Sequence, residues 1–444
     1  MSEASHPVAI VGAGPSGLSL VRAMRNHGIA CVAYERHSDV GGIWDSENEG
    51  SPIYKSAHFI SSKTQSHYID FEMPDDYPDY PSNRQILAYM RSFADAYDLR
   101  RDVRFNTGVT TTQRVAAGWD VTLSNGETVK HSALICANGT NWHGVMPQYL
   151  GAFSGEMRHS STFRSAEEFT GHRVLVIGAG NSGCDIACDA ARSADKAFIS
   201  LRRGYHFIPK QLFGIPADKF AAEGPKMPMW LEQPIFGFLL NLLNGDLTRL
   251  GLQKPDHKIF ETHPILNTQL LHHLAHGDIG ARRDVARFDG KTVHFTDGAH
   301  EEIDLIIAAT GYRWDIPYLA REAITWRDNR PDMFLNLFSR TDPALYTFGF
   351  METNGGAYKM FDEMADFVAL AIKSRAQGDA ASQAFNIMAS SEQPDLSGGI
   401  KFAASPRHAT YVDSAAYRAH LSKLRTKLGW GQVQAGAFTK LLAA

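Results

Sequence analysis

Two short stretches constrain this chain more than any other feature. Gly12-Ala13-Gly14-Pro15-Ser16-Gly17 follows the apolar run Val8-Ala9-Ile10-Val11, and Gly178-Ala179-Gly180-Asn181-Ser182-Gly183 follows Val174-Leu175-Val176-Ile177. Each opens an Ala/Leu/Ile-rich stretch of helical character. In a strand–loop–helix unit of this kind the first glycine permits the tight turn. The second lets the backbone approach a pyrophosphate, and the third lets the helix pack on the strand. The helix N-terminus then offers unpaired N–H groups and a positive dipole end to the phosphates. One such loop is weak evidence. Two, each in context, predict a chain that holds two dinucleotides at once. A flavin and a nicotinamide are the expected pair, because electrons must pass between them.

The order of elements repeats. The first unit reads as strand 7–11, helix 16–27 and strand 29–35, followed by a polar, aromatic and Pro-rich stretch from Trp44 to Ser82. A helix is expected at about 83–98, then a hairpin around Asn125-Gly126 and a strand Ala133–Ala137 ending at Asn138-Gly139. The second unit reads as strand 173–177, helix 182–193 and strand 197–201. A helical insertion at about 212–276 follows, then a hairpin around Asp297-Gly298 and a strand 304–309 ending at Thr310-Gly311. This is the pattern of an internally duplicated α/β fold with two Rossmann-like units, and a length of 444 residues accommodates two or three domains. The tail, about 312–444, has no third loop and is expected to complete the first domain.

The ends of the second strands discriminate the two ligands. In the first unit the strand ends at Glu35. A carboxylate there accepts hydrogen bonds from ribose hydroxyls and repels a 2′-phosphate, which suits FAD. In the second unit the equivalent place holds Leu201-Arg202-Arg203. Two guanidiniums can hold a 2′-phosphate by bidentate, charge-assisted bonds, which suits NADPH; the alternative is a solvated basic turn. Gly42 and Trp44 would give close backbone approach and a flat apolar surface to the flavin. The expected FAD contacts are thus Gly12, Gly14, Ser16, Gly17, Glu35, Arg36, Gly42, Trp44, Val109, Thr310 and Gly311. Those for NADPH are Gly178, Gly180, Asn181, Ser182, Gly183, Arg202 and Arg203. The expected domains are a discontinuous FAD domain, 1–163 and 284–444, and an NADPH domain, 164–283.

Other features narrow the function by exclusion. A net charge of −4 argues against nucleic acid as a main partner. Four cysteines are too few for a disulfide framework and point to a reducing compartment. Met1 to Pro7 lacks a basic-then-apolar leader pattern, so a cytoplasmic location is expected. The run Pro234–Leu243 falls far short of the ~20 residues of a membrane span and reads as a buried helix, with a membrane surface or a partner subunit as alternatives. His272-His273-x-x-His276 lacks the glutamate of a zinc-protease motif, and no metal is expected. Cys184 and Cys188 are spaced too widely for a Cys-x-x-Cys redox pair. Gly355-Gly356 is either a plain turn or a backbone approach to the flavin ring. The oligomeric state is left open, a homodimer being one option.

Between the two units lies Phe153-Ser154-Gly155-Glu156-Met157-Arg158-His159-Ser160-Ser161-Thr162-Phe163. This matches the F-x-G-x-x-x-H-x-x-x-[FY] fingerprint, and with a Gly-x-Gly-x-x-Gly on either side the chain strongly resembles the flavin-containing monooxygenases over nearly its whole length. Asp304 to Pro317 resembles the Ala-Thr-Gly-Tyr motif shared with N-hydroxylating flavoenzymes, with Ala308 where Leu or Phe is usual. Tyr80–Gln85 and Ser200–Gly204 also look like this family. The resemblance implies that NADPH reduces FAD, that reduced FAD adds O2 to form a C4a-hydroperoxyflavin, and that NADP+ shields it. A soft N or S nucleophile of a small molecule would then be oxygenated. It implies a conformational role for His159 between the domains. It also implies a flavin/oxygen pocket at Ile60, Ser61 and Ser62, where Ile60, or Ser61 if the alignment shifts by one, replaces an Asn common in the family. Baeyer–Villiger oxidation of a ketone is the alternative; that fingerprint ends in Trp followed by Pro or Asp, whereas this one ends in Phe163-Arg164. An NADPH oxidase or reductase without an oxygenated product is the other.

Overall fold

A computed structural model describes residues 6–224, 227–263, 265–405 and 408–442. The first five residues of the segment read for a leader lie outside these. The chain opens with β1 (Val8–Val11), α1 (Pro15–Asn26) and β2 (Cys31–Tyr34). It continues through α2 (Asn83–Ala96), β3 (Val103–Arg104) and β4 (Leu134–Cys136). The second sheet begins with β5 (Glu156–His159), β6 (Arg173–Ile177), α3 (Asn181–Ser193) and β7 (Lys196–Ser200). The insertion supplies α4 (Ala217–Glu223), α5 (Met229–Asn244) and α6 (Gln269–His276). Then come β8 (Ile279–Arg282), β9 (Leu305–Ala308), β10 (Met333–Phe334), β11 (Phe338–Ser339), β12 (Leu345–Thr347) and α7 (Ala357–Gln377).

Two main sheets result. The first runs β10-β11-β12-β4-β1-β2-β3, and the second β8-β7-β6-β9-β5. β1 lies parallel between β2 (Val8↔Cys31) and β4 (Ile10↔Ile135), and β6 lies parallel between β7 (Leu175↔Phe198) and β9 (Leu175↔Ile306). Both central strands are buried on both faces, which is why they read as unbroken apolar runs rather than as alternation. Both hairpin signals fold as read, Asn125-Gly126 between Gly118–Leu123 and Thr128–His131, and Asp297-Gly298 between Thr292–Phe295 and His300–Glu302.

The tail returns to the first sheet through β10–β12, and α7 packs on α1. Arg22 of α1 pairs with Asp362 of α7 at 2.6 Å, both fully buried, and its guanidinium lies over the rings of Phe93, Tyr97 and Phe438. Burial pushes the Asp362 carboxyl up to about 6 despite the arginine.

Two expectations change. β5 pairs with β9 (Ile306↔Met157), and β9 pairs with β6. Residues 156–159 and 305–308 therefore belong to the second sheet, and the divisions expected at 163/164 and 283/284 cut through it. The chain crosses between the sheets at His143–Gly144 and Tyr312–Arg313, which pair antiparallel (Tyr312↔Gly144). The second change concerns Pro234–Leu243. It is helical, within α5, but much of its apolar side faces outward. The rest of the insertion is only partly helical, opening with a hairpin, Gln211–Leu212 with Ile215–Pro216.

Candidate functional site

The two Gly-rich loops have superimposable wiring. Gly12 N donates to the Tyr34 carbonyl at 2.9 Å, and Gly178 N donates to the Ser200 carbonyl at 3.0 Å. Gly12 (φ +110°) and Gly178 (φ +103°) lie in the region that favours glycine. A Cβ on Gly12 would meet the Ala137 carbonyl oxygen at 2.6 Å, and one on Gly178 the Ala309 carbonyl oxygen at 2.5 Å. A Cβ on Gly17 or Gly183 would overlap the carbonyl oxygen of Gly12 or Gly178. Both helices start on a glycine, Gly14 or Gly180, with no side-chain cap. Their first N–H groups are thus left for an anion.

Around the first loop, Glu35 is buried just after β2. Its Oε2 accepts from Ala13 N at 2.7 Å and its Oε1 from His37 N at 2.9 Å. Each oxygen keeps a lone pair, so the carboxylate can still accept from two vicinal hydroxyls. Gly42 faces Gly14: a Cβ on Gly42 would meet Gly14 Cα at 3.0 Å. Trp44 closes the short turn Gly42–Trp44 and meets Phe59 edge-on at 5.3 Å. Ser16 lies opposite Gly349, just beyond β12. Arg36 is exposed, donates to the Glu49 carbonyl at 2.8 Å and covers Trp142. Val109 opens the antiparallel sheet beside Gly108.

At the second loop, Gly180 has open space where a Cβ would go. Asn181 Oδ1 accepts from Leu266 N at 3.2 Å, and Ser182 and Gly183 follow in the first turn of α3. Arg202 is exposed and makes no ion pair among the described residues. Arg203 pairs with Asp256 at 3.3 Å. Arg283 is a third guanidinium at this edge. Its carbonyl accepts from Ser200 Oγ at 2.7 Å, because β7 and β8 run in register (Ser200↔Arg282). The Arg282-Arg283 doublet at a strand end was the available sequence signal, and it became informative only once β8 was paired with β7.

Thr310 and Gly311, expected among the FAD contacts, lie beside the second loop. They follow β9 and are to Gly178 what Asn138 and Gly139 are to Gly12: Ala309 N donates to the Ile177 carbonyl at 2.8 Å, and Ala137 N to the Val11 carbonyl at 3.0 Å. Parallel pairing of β9 with β6 puts them beside the second loop. His159 joins them. Its Nδ1 accepts from Ser161 N at 3.1 Å, so its Nε2–H donates to the Gly311 carbonyl at 3.0 Å. Burial holds this imidazole below the ordinary histidine range, in keeping with a neutral ring. Phe163, at the fingerprint's end, is buried and stacked on Phe169 at 4.8 Å.

A polar latch that sequence reasoning missed joins the two units. Tyr54 Oη donates to Asp185 of α3 at 3.1 Å, Ser56 donates to Asp189, and Asn267 Nδ2 donates to Asp185 at 2.7 Å. Burial raises both carboxyls. Two aspartates four residues apart in the otherwise apolar stretch 183–191 of α3 were the visible signal.

Ile60, Ser61 and Ser62 lie on the turn following Phe59. Ile60 is partly exposed, Ser61 Oγ accepts from Ser66 Oγ at 2.6 Å, and Ser62 N donates to Asp218 of α4 at 2.6 Å. The insertion thus holds this turn. Gly356 at the start of α7 packs against the Gln65 carbonyl. The four cysteines are buried free thiols. Of the helix histidines, His273 pairs with Asp278 at 2.9 Å.

Two mainly parallel sheets with matching Gly-rich loops define a duplicated α/β architecture. Within it, the chain belongs to the flavin-binding monooxygenase-like family, whose model matches residues 5–417. It is 31% identical over 373 residues to flavin-containing monooxygenase 5 of Homo sapiens, covering 78% of this chain and 70% of that protein. Its fold is similar to S-allyl-L-cysteine S-oxygenase from Allium sativum (TM-score 0.65, 18% identity, 99% of this chain and 92% of that one). It is also similar to cyclohexanone-bound cyclohexanone monooxygenase (TM-score 0.73, 16% identity, 95% of this chain and 98% of that one).

Proposed function

We propose that this protein is an NADPH- and O2-dependent monooxygenase that holds FAD on the first loop and NADPH on the second, and oxygenates a soft N or S nucleophile of a small molecule. The observation that carries the cofactor assignment is the contrast between buried Glu35 after β2 and the arginines after β7. Glycines whose Cβ positions are blocked or left open, and helix starts without side-chain caps, fit two pyrophosphates.

Bound FAD supplies the redox and oxygen chemistry; the chain supplies position and water exclusion. Glu35 accepts from the flavin nucleotide's ribose, and the α1 N-terminus faces its pyrophosphate. The α3 N-terminus receives the second pyrophosphate, with Arg202, Arg203 and Arg283 at the 2′-phosphate edge. Trp44, Phe59 and the turn at Ile60–Ser62 would wall the flavin's pocket, and Asp218 pins that turn under the insertion. His159 fixes the Gly311 carbonyl where the chain crosses back between the sheets. Its place is conformational, since both ring nitrogens are already engaged.

The heteroatom reading rests on the fingerprint ending in Phe163-Arg164. A panel of amines, sulfides and ketones tests it, with NADPH use, H2O2 release and product all measured. Amine or sulfide oxides formed in step with NADPH use are expected. Esters or lactones from the ketones alone would overturn the heteroatom reading, and H2O2 as the sole product would overturn the monooxygenase reading.

A further inference from the structure

The turn that carries Arg202 and Arg203 is braced by a segment of the insertion. Gly204 forms a parallel bridge with Pro255, and a Cβ on Gly204 would overlap the carbonyl oxygens of Gln253 and Lys254. Gln253 Nε2 donates to the Leu201 carbonyl at 2.8 Å, and His206 Nε2–H donates to the His257 carbonyl at 2.9 Å. Residues 253–257 are thus stitched to 201–206 at both ends. Asp256 lies between those ties, so the backbone fixes it beside Arg203. Its Oδ1 accepts from His257 Nδ1–H at 2.7 Å and stands 3.3 Å from a terminal nitrogen of Arg203. His257 is itself buried, and its Nε2 accepts from Thr262 Oγ1 at 2.9 Å. The hydrogen bond from His257 holds the Asp256 carboxyl below the usual carboxylate range.

Arg203 has one end to offer a ligand. Its Nε is buried without a hydrogen-bond partner among the described residues. A two-point hold on a phosphate would therefore use the two terminal nitrogens, and Asp256 already faces one of them. The Asp256 side chain is 60% exposed and that of Arg203 25%. The carboxylate therefore stands on the solvent side of the guanidinium, where a ligand arrives.

We propose that Asp256 is a specificity-determining residue, a resident carboxylate that a 2′-phosphate must displace from Arg203. It weakens the binding of NADPH and NADP+ and leaves that of NADH and NAD+ alone. The inference rests on the assignment of NADPH to the second loop. A nucleotide with a 2′-phosphate breaks the Arg203–Asp256 pair and then sits beside a like charge. One without it does neither. Discrimination set by an unfavourable charge works in the same way as discrimination set by a favourable one. The turn consequently holds NADPH less tightly than it would with both guanidiniums free, and NADP+ leaves more readily. Were Asp256 there to aim Arg203 at the phosphate, its removal would weaken NADP+ binding, so the sign of the effect separates the two roles.

The test is the Kd of NADP+ and of NAD+ on the flavin-loaded full chain, for wild type and Asp256→Asn. Asparagine can still accept from His257 but carries no charge. Asp256→Asn is expected to tighten NADP+ by about 3- to 10-fold, the scale of an exposed ion pair plus the relief of repulsion, with NAD+ unchanged. Arg203→Gln is expected to weaken NADP+ more in the Asp256→Asn background than in wild type, and Asp256→Glu, which restores the charge, to reverse the gain. If Asp256→Asn disturbs the fold, seen as lost flavin, Asp256→Ser is read instead with the same expectation. A wild type that prefers NADP+ while the neutral variant binds it no better would overturn the proposal and leave the second-loop reading standing. Equal tightening of NAD+ would also overturn the proposal. A wild type that holds both nucleotides equally, with Arg202→Gln and Arg203→Gln making no difference, would overturn the second-loop reading and the proposal with it.

Discussion

At the first loop a Cβ on Gly14 would meet Gly42 Cα at 3.4 Å, while at the second the same position on Gly180 meets nothing within 4 Å. The first loop is closed over by its own unit, with Ala13 held by Glu35 and Gly41 N donating to the Ala13 carbonyl at 3.2 Å. The second is open, with arginines at its rim. The backbone wiring of the two loops is otherwise alike down to the carbonyls that receive Gly12 and Gly178. On the proposed reading, the difference teaches that the shared motif makes a place for a pyrophosphate. The residue ending the second strand, and whatever faces the second glycine, decide which nucleotide comes and whether it stays. A closed loop suits a resident cofactor and an open one a ligand that must leave each turnover.

The largest effect is expected at the closed loop. Gly14→Val puts branched carbons into the narrow gap before Gly42, so the purified protein should lose its yellow colour and its flavin. Full flavin occupancy in a folded variant would break the assignment of that loop.

At the open loop the rim should matter next. Arg202→Gln with Arg203→Gln is expected to raise the NADPH KM by about 10- to 150-fold, the worth of one charge-assisted bond of ~1.5–3 kcal/mol, and to leave the NADH KM nearly unchanged. Since Arg203 is already engaged by Asp256, Arg202→Gln alone should account for most of the change. Equal loss for both nucleotides would mean that these arginines serve folding.

Much of this was legible in the sequence, because β1 and β6 are central strands with continuous apolar runs and the loop glycines are set by backbone sterics. Glu35 and Arg202 were legible for the same reason, sitting at fixed offsets after strands. β5 was not. It is an edge strand, Glu156-Met157-Arg158-His159, too polar to read as an apolar run, and only its pairing with β9 assigns it to the second sheet. That Thr310 and Gly311 stand beside the second loop was not legible for the matching reason, since their strand lies 131 residues beyond its partner in register (Val174↔Leu305). The outward face of α5 was illegible because an apolar run reports how much surface wants cover and not what covers it.

A smaller effect separates the sheets from the latch between them. His131, in the first unit, accepts from Tyr34 Oη through Nε2 while its Nδ1–H faces the Pro7 carbonyl. Burial lowers its pKa, as it does for His159 in the second. The folded values lie below the unfolded one, so this stability is present above about pH 6.5 and is lost as pH falls through the folded values. Asp185 and Asp189 run the other way: their raised carboxyls favour the folded state below the unfolded carboxylate range, and this is lost as pH rises through the folded values. Thermal melts across this range should show stability falling below about pH 6.5, with a shallower fall in His131→Gln and in His159→Gln. An unchanged slope in both would remove the histidines from the account.

The smallest effect is expected at the pocket turn. Ile60→Asn adds one hydrogen-bonding group beside Ser61 and Ser62, worth ~0.5–1.5 kcal/mol, and should lower substrate-free H2O2 release by a few-fold. If release is unchanged, another residue does that work.

The most direct measurement of the central claim is the nucleotide content of Gly180→Val. Because Gly180 faces open space, the fold should tolerate the side chain, which would occupy the second pyrophosphate's approach. The account predicts a chain that keeps one FAD and no longer binds NADP+ in a fluorescence titration. A variant that loses FAD while retaining NADP+ would contradict it and reverse the assignment of the two loops.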